Sequence, residues 1–173
     1  YSQIDVSGVC LALEQPDYAT VLWDGSQVDK TIQGFFVDRA IKTISLPQIS
    51  AGEHELLLQI KFGAKSDLEW CYLLGDFGVS VQGTDTEIVS SQNTLGFDSI
   101  VHQGMPFYGG NVVYTMPFTC VEGEYRLHIP HFCATVLGVE VDGADCGIIA
   151  YSPYETSLGH LSAGEHVLKV TMF

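Results

Sequence analysis

The chain has 173 residues, of which 46% are hydrophobic, and it carries a formal net charge of −14. This composition allows one large domain or two small ones with a real core, and it argues against disorder. The negative charge disfavours nucleic acids and acidic membrane surfaces as partners, because both carry phosphate. A neutral ligand such as a sugar, or a cation, remains an acceptable partner.

Alternation of apolar and polar residues dominates the chain and predicts β-strands that end in turn residues. No stretch has the spacing of an amphipathic helix. Many short strands at short spacing favour an all-β antiparallel sandwich, with a barrel as the alternative. The predicted strands span Val9–Glu14, Ala19–Gly25, Glu55–Phe62, Phe77–Gly83, Asn111–Phe118, Glu124–Ile129, Val136–Gly143 and His166–Phe173.

The pentapeptide SAGEH occurs twice, at Ser50–His54 and at Ser162–His166. Serine, leucine and an aliphatic residue precede both copies in register, and an ATV stretch and an Asp-Gly pair stand upstream of both. The shared order of strand, Asp-Gly turn, variable loop, SAGEH and strand predicts an internal duplication. The glycine suits a turn, so we expect each copy to start an equivalent core strand. The alternative is a pair of matching binding sites.

The pattern V.VDG..CG......Y...LG.LSAGEH.L.V covers Val139–Val170. It resembles the galactose-binding-like jelly-roll modules of bacterial glycoside hydrolases, of which the sugar-binding domain of glycoside hydrolase family 2 is the familiar example. The first copy, from Val21 to Ile60, resembles the same module, and Gly104–Phe118 resembles its first strand. The family's turn carries Asn-Gly and G-x-N, whereas Asp-Gly, His54 and His166 stand here.

The resemblance implies an internally duplicated, galactose-binding-like jelly roll. We therefore expect two jelly-roll-like lobes, residues 1–90 and 91–173, because a polar stretch at Gln82–Asn93 interrupts the alternation. The first lobe continues past its SAGEH strand through Leu68–Val81, and the second has no counterpart. We expect a truncated N-terminus in the first lobe and a final strand of the second lobe that is missing or comes from elsewhere, since a bare sheet edge invites aggregation.

The resemblance also implies a function, although a fold by itself does not fix one. It implies a non-catalytic accessory module of a carbohydrate-active enzyme, which binds carbohydrate or supports a neighbouring catalytic domain. The expected partners are carbohydrate and other domains of the parent chain. The alternatives are a purely structural spacer and a module that contributes carboxylates to a glycosidase active site.

Exposed aromatic rings and nearby polar side chains are the candidate ligand-binding residues. The flat face of a sugar stacks on a ring, and its hydroxyls need hydrogen-bond partners. The alternative is that these rings belong to the core. The candidates are Trp70, Tyr72, His102, Gln103, Tyr108, Asn111, Tyr151 and Tyr154.

Carboxylates provide the catalytic and metal candidates. Glu69 and Asp76 are the catalytic candidates, because glycoside hydrolysis uses two carboxyl groups. Glu69 stands among apolar residues, where a buried carboxylate needs a partner such as Arg39 or Lys65, or a bound cation. With Asp67, the same two residues are candidate calcium ligands, although no calcium-binding motif is present. We expect no other cofactor, because nucleophile and phosphate-binding motifs are absent.

Five cysteines are present, and none forms a C-x-x-C motif. An odd number leaves at least one thiol unpaired within the chain. We therefore expect mostly buried, reduced thiols, which favours a cytoplasmic compartment over a secreted one. We also expect no signal peptide and no membrane span, because no apolar run is long enough to cross a bilayer.

Overall fold

The computed structural model describes residues 1–61, 63–64 and 69–173. In this part of the chain the protein is all-β, with antiparallel ladders and two short 3-10 helices, Pro16–Tyr18 and Ile100–Gln103. The ladders form open sheets of the β-sandwich type, so the predicted fold class is confirmed and the alternative of a barrel is not. Within the described ranges, no helix has the length and apolar character needed to cross a membrane.

The chain divides into two compact units, Tyr1–Tyr108 and Gly109–Phe173. The stretch after residue 90 is tied to the first unit, because Val79 N donates a hydrogen bond of 2.7 Å to the Gly104 carbonyl. The two jelly-roll-like lobes at residues 1–90 and 91–173 stay a prediction.

The described residues of the first unit form three antiparallel sheets. Its strands are β1 (Cys10–Glu14), β2 (Ala19–Trp23), β3 (Ser26–Gln27), β4 (Ile32–Phe36), β5 (Asp38–Ser45), β6 (Leu56–Ile60), β7 (Tyr72–Leu74), β8 (Gly78–Gln82) and β9 (Asp85–Val89). Four strands pair in the order β4-β5-β1-β7, three in the order β3-β2-β6, and β8 pairs with β9.

The core of the first unit is formed by alternate residues of its strands. Leu11 of β1 is opposite Ile44 of β5, and both side chains are fully buried. Val21 and Trp23 alternate in the same way along β2 and join the same apolar cluster. Burial of each large apolar side chain contributes about 1.5–3 kcal/mol relative to exposure. The four-stranded sheet and the β3-β2-β6 sheet therefore share one core.

The second unit is a smaller two-layered arrangement. Its strands are β10 (Val112–Cys120), β11 (Gly123–His128), β12 (Leu137–Val141), β13 (Ala144–Ile149), β14 (Glu155–Leu161) and β15 (Gly164–Met172). One sheet has the order β10-β15-β12-β13, and β11 pairs with β14. Val139 and Val170 of the larger sheet lie in one cluster with Leu127 and Leu158 of the smaller pair.

The two units share a pairing order. In the first, β2 pairs with β3 and β6, and β1 pairs with β5, the strand before SAGEH. In the second, β12 pairs with β13 and β15, and β11 pairs with β14, again the strand before SAGEH. The second unit adds β10 along β15. Among the described residues, no named strand pairs with β6 on its side away from β2.

All five cysteines are free thiols. Cys133 is exposed and the other four are half-buried. The expectation of mostly buried thiols is therefore wrong, because every cysteine keeps part of its side chain in contact with solvent.

Candidate functional site

Each Asp-Gly pair forms a tight hairpin turn. The φ angles are 48° at Asp24 and 76° at Gly25, and 50° at Asp142 and 80° at Gly143. Two successive positive φ angles are typical of a type I′ turn, whose twist matches that of a two-stranded hairpin. The predicted Asp-Gly turns are confirmed.

In the first unit, the aspartate of this turn forms a cluster that we call the first Asp–His clasp: Asp24, Ser50, His54 and Glu55. Asp24 N donates to the Glu55 carbonyl at 2.9 Å, and Glu55 N donates to Asp24 Oδ1 at 2.8 Å. The other carboxylate oxygen, Oδ2, lies 2.7 Å from His54 Nδ1. His54 Nε2 lies 2.8 Å from the Ser50 carbonyl oxygen.

The second Asp–His clasp consists of Asp142, Ser162, His166 and Val167, and it has the same bonds. Asp142 N donates to the Val167 carbonyl at 3.0 Å, and Val167 N donates to Asp142 Oδ1 at 2.8 Å. His166 Nδ1 lies 2.6 Å from Asp142 Oδ2, and His166 Nε2 lies 3.0 Å from the Ser162 carbonyl oxygen. Both SAGEH copies therefore fix a histidine between the same two kinds of oxygen.

The chemistry of the clasps follows from their acceptors. A carboxylate and a peptide carbonyl only accept hydrogen bonds, so the two contacts favour the imidazolium form of the ring, which donates from both nitrogens. The bond to Asp24, and then that to Ser50, raises the pKa of His54. The backbone bond from Glu55, and then the His54 contact, lowers the pKa of Asp24.

The second clasp shifts its pKa values in the same directions. Asp142, followed by the Ser162 carbonyl, raises the pKa of His166. His166, followed by the Val167 N–H, lowers the pKa of Asp142. Because every polar atom of the ring is engaged, neither clasp offers a free base or nucleophile. The clasps hold strands together and do not resemble a catalytic dyad.

The loops at one end of the second unit carry a cluster of rings that we call the aromatic loop end: Phe132, Tyr151 and Tyr154. Tyr154 N donates to the Tyr151 carbonyl at 2.7 Å, which closes a turn. Ile129 N donates to the Tyr154 carbonyl at 3.0 Å, which attaches this turn to the chain just after β11. The Phe132 and Tyr154 rings meet edge to face with centroids 5.8 Å apart. Tyr151 is 83% exposed and presents its ring to solvent.

Polar groups border these rings. Arg126 Nη1 lies 2.6 Å from Glu155 Oε1, and His128 is directly opposite Glu155 on the β11–β14 ladder. Tyr154 has a φ of 57°, in the left-handed region that non-glycine residues seldom occupy. Such backbone conformations often occur at ligand sites. Arg126, His128 and Glu155 thus supply hydrogen-bond donors and acceptors on the β11–β14 pair, and Glu155 directly follows Tyr154 in the chain.

The first unit carries a second exposed aromatic surface. Trp70 is 80% exposed and Tyr72 is 41% exposed. The Tyr72 ring lies 5.5 Å, centroid to centroid, from the Phe36 ring at an interplanar angle of 53°. The structure thus brings one predicted residue, Tyr72, into contact with Phe36, which the sequence did not single out.

Gln103 and His102 belong to the 3-10 helix Ile100–Gln103. The Gln103 side chain accepts from Gly96 N at 2.6 Å and donates to the Asp98 carbonyl at 3.0 Å. Its amide is therefore engaged in shaping the preceding loop. His102 is exposed, and so are the two remaining candidate ligand-binding residues, Tyr108 and Asn111.

The two carboxylate candidates that the structure describes, Glu69 and Asp76, lie on the surface. Glu69 is exposed, so it needs no buried partner. It lines a cavity of about 30 Å³ together with Glu14 and Cys71, which is room for one water molecule and far too little for a sugar ring. Asp76 is exposed just before β8, and Asp67 lies outside the described residues. In the described ranges, no three potential metal-ligating side chains come together.

Sequence reasoning did not identify the Asp–His contacts or the ring of Phe132. A signal for the contacts was present, because Asp24 and His54 recur in register as Asp142 and His166. No comparable signal marks Phe132, whose contact with Tyr154 depends on two separate loops meeting.

No protein-family model matches the chain, and no curated protein matches it. Among solved structures, a rhamnosidase from Novosphingobium sp. PP1Y is similar to 98% of this chain, with 15% sequence identity and a TM-score of 0.36. The chain covers 17% of the length of that rhamnosidase chain. A likeness at this TM-score assigns neither a detailed fold nor a function.

Proposed function

We propose that this chain is a non-catalytic accessory β-sandwich of a carbohydrate-active enzyme and that it binds carbohydrate at the aromatic loop end. The observation that carries the proposal is the exposed Tyr151, which lies in the same hydrogen-bonded turn as Tyr154, whose ring meets Phe132 edge to face. The Arg126–Glu155 pair supplies hydrogen-bonding groups at its border.

The physical basis is stacking combined with hydrogen bonding. A sugar ring placed on Tyr151 buries its C–H face against the aromatic ring, while its hydroxyls meet polar side chains. The net charge of −14 repels phosphate-bearing ligands but does not affect a neutral sugar in this way. Both Asp–His clasps are fully engaged in hydrogen bonds within their units, so binding without covalent chemistry fits the site better than catalysis.

We also propose that the two units arose by duplication of one galactose-binding-like jelly roll. The shared pairing order supports this proposal, because a β2-like strand lies between a short hairpin partner and the SAGEH strand in both units. The two clasps support it more specifically, since the bonded atoms correspond one by one.

The test is a glycan-array screen of the folded protein, with and without calcium, followed by titration of any sugar that binds. Tyr151→Ala should weaken binding of that sugar at least about tenfold, because it removes the exposed stacking surface. Tyr18→Ala is the matched control, since Tyr18 is 75% exposed in the first unit and lies outside the site. Equal binding by the two variants would assign the sugar to another surface, with Trp70→Ala as the next variant.

A structural spacer is the second candidate, and the outer face of the larger sheet in the second unit favours it. Val113, Ile148 and Phe173 are 49%, 62% and 54% exposed, although all three side chains are apolar. Exposed apolar surface of this kind is typical of a face that packs against another domain. A well-folded protein that binds no sugar across the panel would favour the spacer over the binding module.

A further inference from the structure

In the first unit, the short segment Tyr1–Gln3 lies between Gly52, four residues before the start of β6, and Ile88 of β9. Ser2 exchanges two hydrogen bonds of 2.8 Å with Gly52, just before β6. On its other side, Gln3 N donates to the Ile88 carbonyl and Ile88 N donates to the Tyr1 carbonyl. Ser2 is thus antiparallel to Gly52 and parallel to Ile88. We call the continuation of this gap, between β6 and β9, the strand slot.

Backbone groups of β6 point into the strand slot. Glu55 directs its carbonyl toward Asp24 on the β2 side. Because bonding direction alternates along a strand, Leu57 and Gln59 also face β2, and the residues between them face the opposite way. The N–H and C=O groups of Leu56, Leu58 and Ile60 therefore point toward the slot. Within the described ranges, no strand is paired with them.

The same reasoning applies to β9. Ile88 directs both its N–H and its carbonyl toward Tyr1–Gln3. Thr86, two residues earlier on β9, must direct its backbone groups to the same side. On the opposite side, β9 is paired with β8, with Glu87 opposite Ser80. Beyond Tyr1, β9 therefore offers the backbone groups of one further residue, Thr86, on the side away from β8.

The second unit shows what occupies the corresponding place. There, Cys120 is opposite Gly164, as Ser2 is opposite Gly52 in the first unit. From this point β10 continues antiparallel along β15 to Val112. Val170, under β10, is 4% exposed, whereas its counterpart Leu58 on β6 is only half-buried. An added strand would complete this burial.

The occupant of the second unit also defines the side chains that fit. The residues of β10 that face the core of the second unit are all large and apolar or aromatic. They are Val112, Tyr114, Met116 and Phe118. The corresponding partners on the first unit are Ile60, Leu58, Leu56 and His54. Three of these four partners are aliphatic, so alternate apolar residues are required of the occupant.

We infer that the strand slot is a docking site for an extended polypeptide strand that runs antiparallel to β6 and parallel to β9, with large apolar side chains at every second position. Binding by strand addition draws affinity from main-chain hydrogen bonds and specificity from the alternate side chains. This inference concerns the first unit and does not depend on carbohydrate binding at the aromatic loop end.

The experiment uses the β10 sequence as the probe. Since Ser2 corresponds to Cys120, a seven-residue prefix with the sequence of Val112–Phe118 is fused directly before Tyr1 in correct register. Fusion provides a high effective concentration of the strand. We expect the melting temperature of the first unit to rise by about 5 °C. We expect the amides of Leu56, Leu58 and Ile60 to exchange at least about tenfold more slowly.

The control is the same prefix with proline in place of the methionine that corresponds to Met116. This position faces β6, so proline removes a required N–H donor and prevents pairing. Both tryptophans, Trp23 and Trp70, lie in the first unit, so fluorescence reports its unfolding selectively. Equal stability and equal exchange in the two fusions would overturn the inference. So would a dimer, measured by sedimentation, in which a second copy already protects these amides.

Discussion

The two Asp–His clasps have the same hydrogen bonds but different aromatic neighbours. In the first clasp, the Trp23 ring stacks on the His54 ring with centroids 5.3 Å apart. Trp23 is the last residue of β2 and directly precedes the aspartate of the clasp, Asp24. In the second, Phe118 lies 5.6 Å from His166 and comes from β10, across the ladder. A ring near an imidazolium contributes a favourable cation–π contact from either direction. The comparison teaches that the same aspartate and histidine positions form the clasp in both units, whereas the covering ring comes from a different strand in each.

A second difference lies on the outer face of the same ladders. Leu22 is opposite Leu57 in the first unit. The corresponding positions of the second unit hold Glu140 and Lys169, whose charged atoms are 3.0 Å apart. An apolar pair and an ion pair thus occupy one position of a shared framework, so the framework does not depend on the chemistry of this outer pair.

The largest expected effect is in the two cores. Leu11→Ala and Leu137→Ala should each lower the free energy of unfolding of their own unit by about 2–5 kcal/mol, because each side chain is buried and leaves a cavity. Tryptophan fluorescence follows the first unit, and amide exchange of Val139 and Val170 follows the second. Val121→Ala is the control, since Val121 is 74% exposed and should change stability little. A Leu137→Ala effect no larger than that of the control would contradict the assigned core.

The next effect is the pH dependence that the clasps impose. The pKa values of His54 and His166 are raised above the usual value of about 6.5. The contribution of the two histidines to the free energy of unfolding is therefore complete below about pH 6.5. It is lost as the pH rises through their raised pKa values. The pKa values of Asp24 and Asp142 are lowered, so their contribution is complete above about pH 3.9 and is lost as the pH falls through the lowered values.

Stability measured by denaturant unfolding should accordingly be greatest between these limits and decline on both sides. The double variant His54→Gln with His166→Gln should lose the decline at high pH, and either single variant should lose only the part that belongs to its unit. His102→Gln is the control, because His102 is exposed outside both clasps. Persistence of the full alkaline decline in the double variant would show that other groups cause it.

The smallest expected effect concerns the outer pair. Replacing Glu140 and Lys169 together by leucine should change the free energy of unfolding by less than about 1 kcal/mol, because partly exposed ion pairs contribute little. The measurement is the denaturation midpoint of the second unit at low and at high salt, with Lys169→Leu alone as the comparison. A loss of more than about 2 kcal/mol in the double variant would mean that this ion pair is a specific requirement of the second unit.

The sequence by itself determined the fold class and most of the regular strands. Alternation predicted β2, β6 and β12 closely, because more buried and less buried side chains alternate along each of these strands. The sequence also predicted a turn at the glycine of each SAGEH copy, and Gly52 and Gly164 have positive φ angles of 136° and 141°.

Only the tertiary structure decided which strands are irregular. The pairing of β4 with β5, of β11 with β14 and of β12 with β13 shifts register within the ladder. A bulge breaks the period of two on which sequence reading depends, so β4, β13 and β14 did not appear as alternating stretches.

Tertiary structure likewise decided three further features. They are the hydrogen bonds of His54 and His166 to aspartates and carbonyls, the contact of Phe132 with Tyr154, and the gap between β6 and β9. Each joins segments that are distant in sequence or lie on different loops, and local residue preferences carry no information about such encounters. The chain alone therefore specified which segments become strands. Packing and ladder pairing decided which edges and rings remain available to a partner.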